Sequence, residues 1–343
     1  MKRNKRNIFS GMGWSRALLW AALPLWFTSC IDEDLSDCGV DFAVEYRMEL
    51  STSLRMSIDE QLTSPAEKEL AAALKRNLAD VLTDKARLMD LSFFEAGNGS
   101  VAKHLEMKPD ANTLAMTIYL DRGDYDNIAL AATGDPGKIR IVGGNNYKTL
   151  ALQQDEADTI DAHSTALYRG YTRMAVSNQS GRFYVPLYMQ NAVPVLVVDP
   201  ANSPAQVVGA YTRGMASGMR CADSVFVVSK PAVIRTRRTE AGGLIALHSV
   251  CFPSADQAEQ QMRVNDGYDE EEGSLWQMDL YTRLPDGKYV KNILYIKNSL
   301  LAGEVQIIKV KLTEGGEVTV ENPEVGVSVE LDWKPGHDFD VEM

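Results

Sequence analysis

The segment VDFAVEYRMEL, Val40 to Leu50, alternates without a fault: Val40, Phe42, Val44, Tyr46, Met48 and Leu50 fall on one side, with Asp41, Glu45, Arg47 and Glu49 among the residues on the other. A period of two sustained this long predicts a strand with one face buried. The same alternation returns at Met89-Leu91-Phe93, Leu114-Met116-Ile118-Leu120, Phe183-Val185-Leu187-Met189, Trp276-Met278-Leu280, Ile308-Val310-Leu312 and Val325-Val327-Val329-Leu331. Turn-forming stretches such as EAGNGS, DRGDY, GDPGK, LPDGK and TEGGE separate these runs. Many short strands with Gly- and Asp-rich turns predict a mainly β chain built of antiparallel sandwiches rather than a helix-covered parallel sheet.

One segment breaks the period. SPAEKELAAALKRNLADVL opens with Ser64 as N-cap, Pro65 at the first helical position and Glu67 closing a capping box, and Leu70, Leu74, Leu78, Val81 and Leu82 form an apolar stripe. This predicts one helix from Pro65 to Leu82, inserted after the first strand and packed on a sheet. SPAQVVGAYTRGMA, beginning at Ser203, is a second helical candidate. The 343 residues are enough for two cores. The polar loop SNQSGR, Ser177 to Arg182, precedes a new strand, which places the expected domains at 40–182 and 183–343.

The amino-terminal stretch predicts export. Lys2, Arg3, Lys5, Arg6 and Arg16 make a basic head, and Ala17 to Thr28 carries no charge, too short a run to span a bilayer but suited to a signal core over residues 1–29. Phe27-Thr28-Ser29-Cys30 resembles the bacterial lipobox, with cleavage between Ser29 and Cys30 and acylation of Cys30. Acyl chains on one cysteine act together, so the expected anchor is stable. The leader, residues 30–39, begins Ile31-Asp32-Glu33-Asp34, and Asp32, Glu33 and Asp34 resemble the acidic signal that sends lipoproteins of Bacteroidetes to the outer face of the outer membrane.

No site of chemistry is legible in the sequence. The four histidines, His104, His163, His248 and His337, are scattered, and the sequence holds no H-E-x-x-H, G-x-S-x-G, P-loop or G-x-G-x-x-G. No enzyme, cofactor or metal is expected. The acidic run Asp266 to Glu272 lacks the order of a calcium loop and reads as a solvated tip. Arg122-Gly123-Asp124 reads as a turn before Tyr125, and Tyr168 with Tyr171 could offer an aromatic platform. A formal charge of −12 repels phosphate backbones and the sequence shows no basic stripe interleaved with aromatics, so no nucleic-acid partner is expected. Of the cysteines, Cys221 and Cys251 are a candidate disulfide, with buried free thiols as the equal alternative.

Taken together, the leader CIDEDLSDC, the strand VDFAVEYRMEL, the pair DLSFFEAGNGSV and MTIYLDRGDYDNIALAAT, and the ending VGVSVELDWKPGHDF resemble the fimbrillin-anchor lipoproteins of Bacteroidetes, minor subunits that hold surface fimbriae to the outer membrane. The resemblance spans residues 30–343. It implies two tandem transthyretin-like β-sandwiches, no catalytic residues, other fimbrial subunits and the outer membrane (through lipid) as partners, and assembly by strand sharing. The alternatives are a polymerising or tip fimbrillin adhesin and a surface glycan-binding lipoprotein; no host protein or glycan ligand can be named. By the same resemblance a polymer-type subunit would be cut at Arg55, expected in the loop after the first strand, whereas an anchor keeps that strand.

Overall fold

The alternating segment at the start of the chain is a strand whose apolar side is sealed: Val44, Tyr46 and Met48 are buried while Glu45, Arg47 and Glu49 face solvent. The computed structural model describes residues 42–51, 54–109, 115–154, 159–177, 181–228, 231–256 and 274–332. The chain runs through β1 (Phe42–Ser51), α1 (Leu54–Gln61), α2 (Pro65–Asn77), β2 (Leu88–Glu95), β3 (Val101–Met107), β4 (Ala115–Leu120) and β5 (Gly123–Ala132). Next come β6 (Ile139–Val142), β7 (Ala151–Gln154), β8 (Ile160–Asp161), β9 (Leu167–Val176), β10 (Gly181–Met189), β11 (Val193–Asp199) and β12 (Gln206–Met215). Then follow β13 (Gly218–Arg220), β14 (Val225–Val227), β15 (Ala232–Arg235), β16 (Arg237–Ala241) and β17 (Leu244–His248). The last are β18 (Trp276–Arg283), β19 (Tyr289–Ile296), β20 (Val305–Leu312), β21 (Val318–Val320) and β22 (Val327–Asp332). The chain is mainly β.

Among the described residues four sheets result, in the orders β3-β2-β5-β9-β10-β1-β4, β16-β17-β11-β20-β21, β22-β19-β18-β12-β15-β8 and β14-β13-β7-β6. The seven-stranded sheet curls until its edges meet. Lys103 of β3 donates to the carbonyl of Tyr119 in β4 at 2.6 Å, and Tyr46 of β1 meets Phe93 of β2 edge to face with centroids 5.9 Å apart. Its interior joins α1, α2 and one face of the five-stranded sheet in a single core. The other face of that five-stranded sheet packs on the six-stranded sheet. Hence β11 is buried on both sides, Val193, Val195 and Val197 toward the first core and Leu196 and Val198 toward the second, and its sequence is a continuous apolar run rather than an alternating one. The outer face of β2, β5 and β9 is roofed by the four-stranded sheet, around Phe94, Leu150, Met219 and Phe252.

The capping box forms as expected. Ser64 Oγ accepts from the Glu67 amide, and Glu67 accepts from the Ser64 amide at 2.8 Å. The same carboxylate reaches Lys309 of β20 at 2.6 Å, so the cap also fastens the helix to the five-stranded sheet. The helix ends at Asn77 rather than Leu82, yet Leu78, Val81 and Leu82 stay in the core through a turn in which the Val81 and Leu82 amides bond the Leu78 carbonyl. A second helix, α1, was not expected; its Leu54 and Ile58, with Leu62 just beyond, sit one turn apart and are all buried, but eight residues are too few for a period to stand out.

Three expectations are corrected. The helical candidate from Ser203 is strand β12, because Val207, Val208, Tyr211 and Thr212 favour the pleat and a bulge absorbs the irregularity at Val207–Gly209. The sheets are mixed, not purely antiparallel: β1 with β10, β11 with β20 and β15 with β8 are parallel. The strand at Phe183 belongs to the first sheet, since β10 pairs with β1 along Val44–Gly181 to Ser51–Tyr188 and with β9 at Tyr188–Arg169, so the expected boundary at 177–182 falls between two strands of one sheet. One β9 glycine is required by this packing: a Cβ on Gly170 would lie 2.7 Å from Leu187, Val185 and the Pro186 carbonyl.

Candidate functional site

The candidate site is built around the position of β1. It lies inside its sheet, hydrogen-bonded in parallel to β10 and antiparallel to β4, where Phe42 faces Leu120 and Arg47 faces Ala115. A strand so placed satisfies two rows of backbone groups and fills an apolar groove. Its loss would expose both. At the floor of the slot the Tyr46 hydroxyl donates to Asn127 Oδ1, and Asn127 Nδ2 donates to the Ser92 carbonyl at 3.1 Å. Burial raises the Tyr46 pKa above the ordinary tyrosine value, keeping the phenol a donor.

The outward face of the slot is polar and aromatic. Arg182 pairs with Glu45 at 2.8 Å, and Tyr184 donates to Glu49. Tyr119, Tyr184 and Tyr188 on the two strands flanking β1 are each more than half exposed. Sequence reasoning passed over these tyrosines although the signal was present: Tyr184 and Tyr188 occupy the positions between Phe183, Val185, Leu187 and Met189, and therefore point away from the core.

Other backbone edges are closed by side chains. On β20, Gln61 Nε2 donates to the Val305 carbonyl at 3.0 Å and Gln61 Oε1 accepts from the Ile307 amide at 3.1 Å. Asn322 does the same one step on, accepting from the Lys309 amide at 2.7 Å and donating to the Ile307 carbonyl at 2.8 Å. Two amide side chains thus stand where a neighbouring strand would be, closing that stretch to strand addition. By contrast, β22 is an edge strand, paired on one side with β19.

The sequence-level candidates are distributed as follows. Ser29, Cys30, Asp32, Glu33, Asp34, Cys38, the run Asp266 to Glu272 and Trp333 lie outside the described residues. Arg55 is in α1, not in a loop. Cys221 and Cys251 are free thiols in different core clusters, which corrects the candidate disulfide in favour of its alternative. Burial pushes both thiols upward, Cys221 to about 12, so neither is a ready thiolate. Tyr168 is fully buried and Tyr171 is occupied by Asp126 and Tyr147, so the two do not form a platform. In Arg122-Gly123-Asp124, Gly123 and Asp124 open β5, and the following Tyr125 hydroxyl donates back to the Asp121 carbonyl at 2.9 Å. His163 Nδ1 accepts from Asn191 Nδ2 at 2.9 Å within the core.

No family model matches the chain, and no curated protein matches it. Among solved structures, a candidate adhesin from Bacteroides ovatus superposes with a TM-score of 0.51 at 9% identity, over 85% of this chain and 96% of that one. A candidate adhesin from Bacteroides thetaiotaomicron gives 0.50 at 10% identity, over 82% and 97%. The fimbrial anchor protein Mfa2 from Porphyromonas gingivalis gives 0.45 at 12% identity, over 85% and 97%. The structural neighbours of the chain are thus fimbrial anchor and assembly proteins and candidate adhesins, and the likeness is one of fold.

Proposed function

We propose that this chain is a lipid-anchored protein of the outer-membrane surface that acts as anchor or accessory subunit of fimbriae, joining the shaft to the membrane by strand-sharing contacts. Its role is structural, with no catalysis, and its two sandwiches are transthyretin-like, dividing after Met189 rather than at Ser177–Arg182. The observation that carries the reading is the interior position of β1, held between β10 and β4 and followed directly by α1. A lipidated Cys30 would be joined to the fold through this strand, so tension on the fimbria would be borne by ladders on both of its edges. The fold likeness to candidate adhesins of Bacteroides is in keeping with it.

Against the polymer-type alternative stands the setting of Arg55. It lies in a helix whose Leu54 and Ile58 belong to the same core as Val44, Tyr46 and Met48, so proteolysis there demands local unfolding of that core. Removing β1 would also strip three fully buried side chains from the groove, each worth about 1.5–3 kcal/mol. Intact-mass analysis of protein purified from fimbriated cells tests the reading. One acylated chain beginning at Cys30, at a few copies per fimbria, is expected. Recovery mainly as a chain beginning at Met56, in amounts matching the shaft, would overturn it.

A further inference from the structure

On the edge of the seven-stranded sheet, Asp90 of β2 stands directly across from Glu106 of β3, and Ser92 across from His104. Two carboxylates facing one another across a ladder repel. Among the described residues no Lys or Arg pairs with either; Asp90 Oδ2 instead meets His104 Nε2 at 2.7 Å, and Ser92 Oγ donates to Asp90 Oδ1 at 3.3 Å. One donor atom from each of Asp90, His104 and Glu106 lies within 4.8 Å of the others. Asp90 is nearly buried, whereas the His104 and Glu106 side chains are open to solvent and able to adjust. Asp90 and Glu106, with Lys108, also line a cavity of about 390 Å³ whose wall is otherwise largely aliphatic, from Leu88, Leu130, Ile139 and Leu152.

We propose that Asp90, His104 and Glu106 form a binding site for a divalent ion of the zinc type. The imidazole nitrogen selects against calcium and magnesium, which prefer all-oxygen shells, and one nitrogen with two carboxylate oxygens suits Zn²⁺. Ligands on one zinc ion sit about 3.3 Å apart when its bonds are about 2.0 Å long, so the 2.7 Å Asp90–His104 contact need open by only about half an ångström. The ion would cancel the charge of both carboxylates, where the His104 contact answers Asp90 alone. Ser92 orients the buried ligand from behind, as an outer-shell partner does. Three protein ligands leave a coordination position for water or for a donor atom of a molecule seated in the cavity. The spacing motifs of sequence reading could not find this site, because its ligands come from two strands and meet only through the register.

Titration of the tag-free, full-length chain in detergent with zinc chloride, followed by calorimetry, tests the proposal. One zinc ion per chain is expected, with no response to calcium or magnesium. Glu106→Gln alters a solvent-open side chain and should keep the parent melting curve in chelator, whereas His104→Ala also removes the contact of the nearly buried Asp90 and should lower it; both should weaken zinc binding about 100-fold or more. Cobalt substitution should give a visible spectrum without a thiolate charge-transfer band. Absence of zinc binding by the parent chain, equal binding by His104→Ala, or a thiolate band would each overturn the site and leave His104–Asp90 as a structural ion pair; none of these results bears on the fimbrial reading.

Discussion

Tyr46 and Asn127 meet in the buried interior, the hydroxyl of the first strand donating to the side-chain carbonyl of β5, which lies three strands away in the sheet order. The contact exists only because the sheet curls, and it ties the first strand to the far side of the core. Tyr46→Phe preserves shape but leaves Asn127 Oδ1 without its donor, a loss of about 1–3 kcal/mol for an unpaired buried acceptor. Urea denaturation should show the midpoint falling with an unchanged slope. A midpoint equal to that of the parent would mean that Asn127 repairs itself with another partner.

Gly170 gives a sharper steric case. With Leu187, Val185 and the Pro186 carbonyl each 2.7 Å from a notional Cβ, Gly170→Ala has no room unless β9 and β10 part. Gly97, in the turn between β2 and β3, has nothing within 4 Å. Gly170→Ala should cost about 1–3 kcal/mol, in the range of overpacked cores, while Gly97→Ala should fall within about 0.5 kcal/mol of the parent. Comparable melting temperatures for the two variants would refute the packing of β9 against β10.

What was legible in the sequence follows from what is local. Period two placed β1, β10 and β20, and the Ser64–Glu67 capping box set the start of α2, since each signal lies within a few consecutive residues. The partners of those strands were not legible. That β1 pairs in parallel with β10, 137 positions on by the Val44–Gly181 register, depends on the curl of the sheet and on the helices filling its mouth. Nor could the run VPVLVVD announce that its two faces enter different cores. Gln61 and Asn322 read as ordinary polar residues, and only the fold brings their amides to the edge of β20. The candidate zinc ligands escaped for the same reason. Conversely, the lipid-anchor reading at Cys30 rests on sequence alone.

That reading carries its own test. If Cys30 is acylated, Cys30→Ala should abolish incorporation of labelled palmitate and release the protein from membranes. Replacing Asp32, Glu33 and Asp34 with Ala should leave it lipidated but shielded from protease added to intact cells. Continued palmitate labelling of Cys30→Ala would place the anchor elsewhere.

The buried histidines predict a specific acid response. His163 and His248 are almost fully enclosed, and burial first, then the Arg237 cation nearby, lowers each pKa from the ordinary 6.5 to about 4. Arg237 is fixed beside them, paired with His248 across the β16–β17 ladder and donating to the Ala162 carbonyl at 3.1 Å. Above pH 6.5 both rings are neutral whether the chain is folded or not, and their contribution is undiminished. As the pH falls below 6.5 the unfolded chain takes up protons that the folded chain refuses until about pH 4, so stability drains away across that window. The full loss is on the order of 3 kcal/mol for each ring. Glu67, on which the upward push of burial is outweighed by the Lys309 and Ser64 hydrogen bonds so that its pKa falls from 4.5 to about 2, acts in a lower window, its contribution being lost as the pH falls from about 4.5 toward 2. Unfolding free energies measured from pH 7.5 to pH 4 should therefore fall more steeply for the parent than for a His163→Gln, His248→Gln double variant, by nearly one proton per ring. Parallel curves for the two proteins would show that neither ring is kept neutral by the fold.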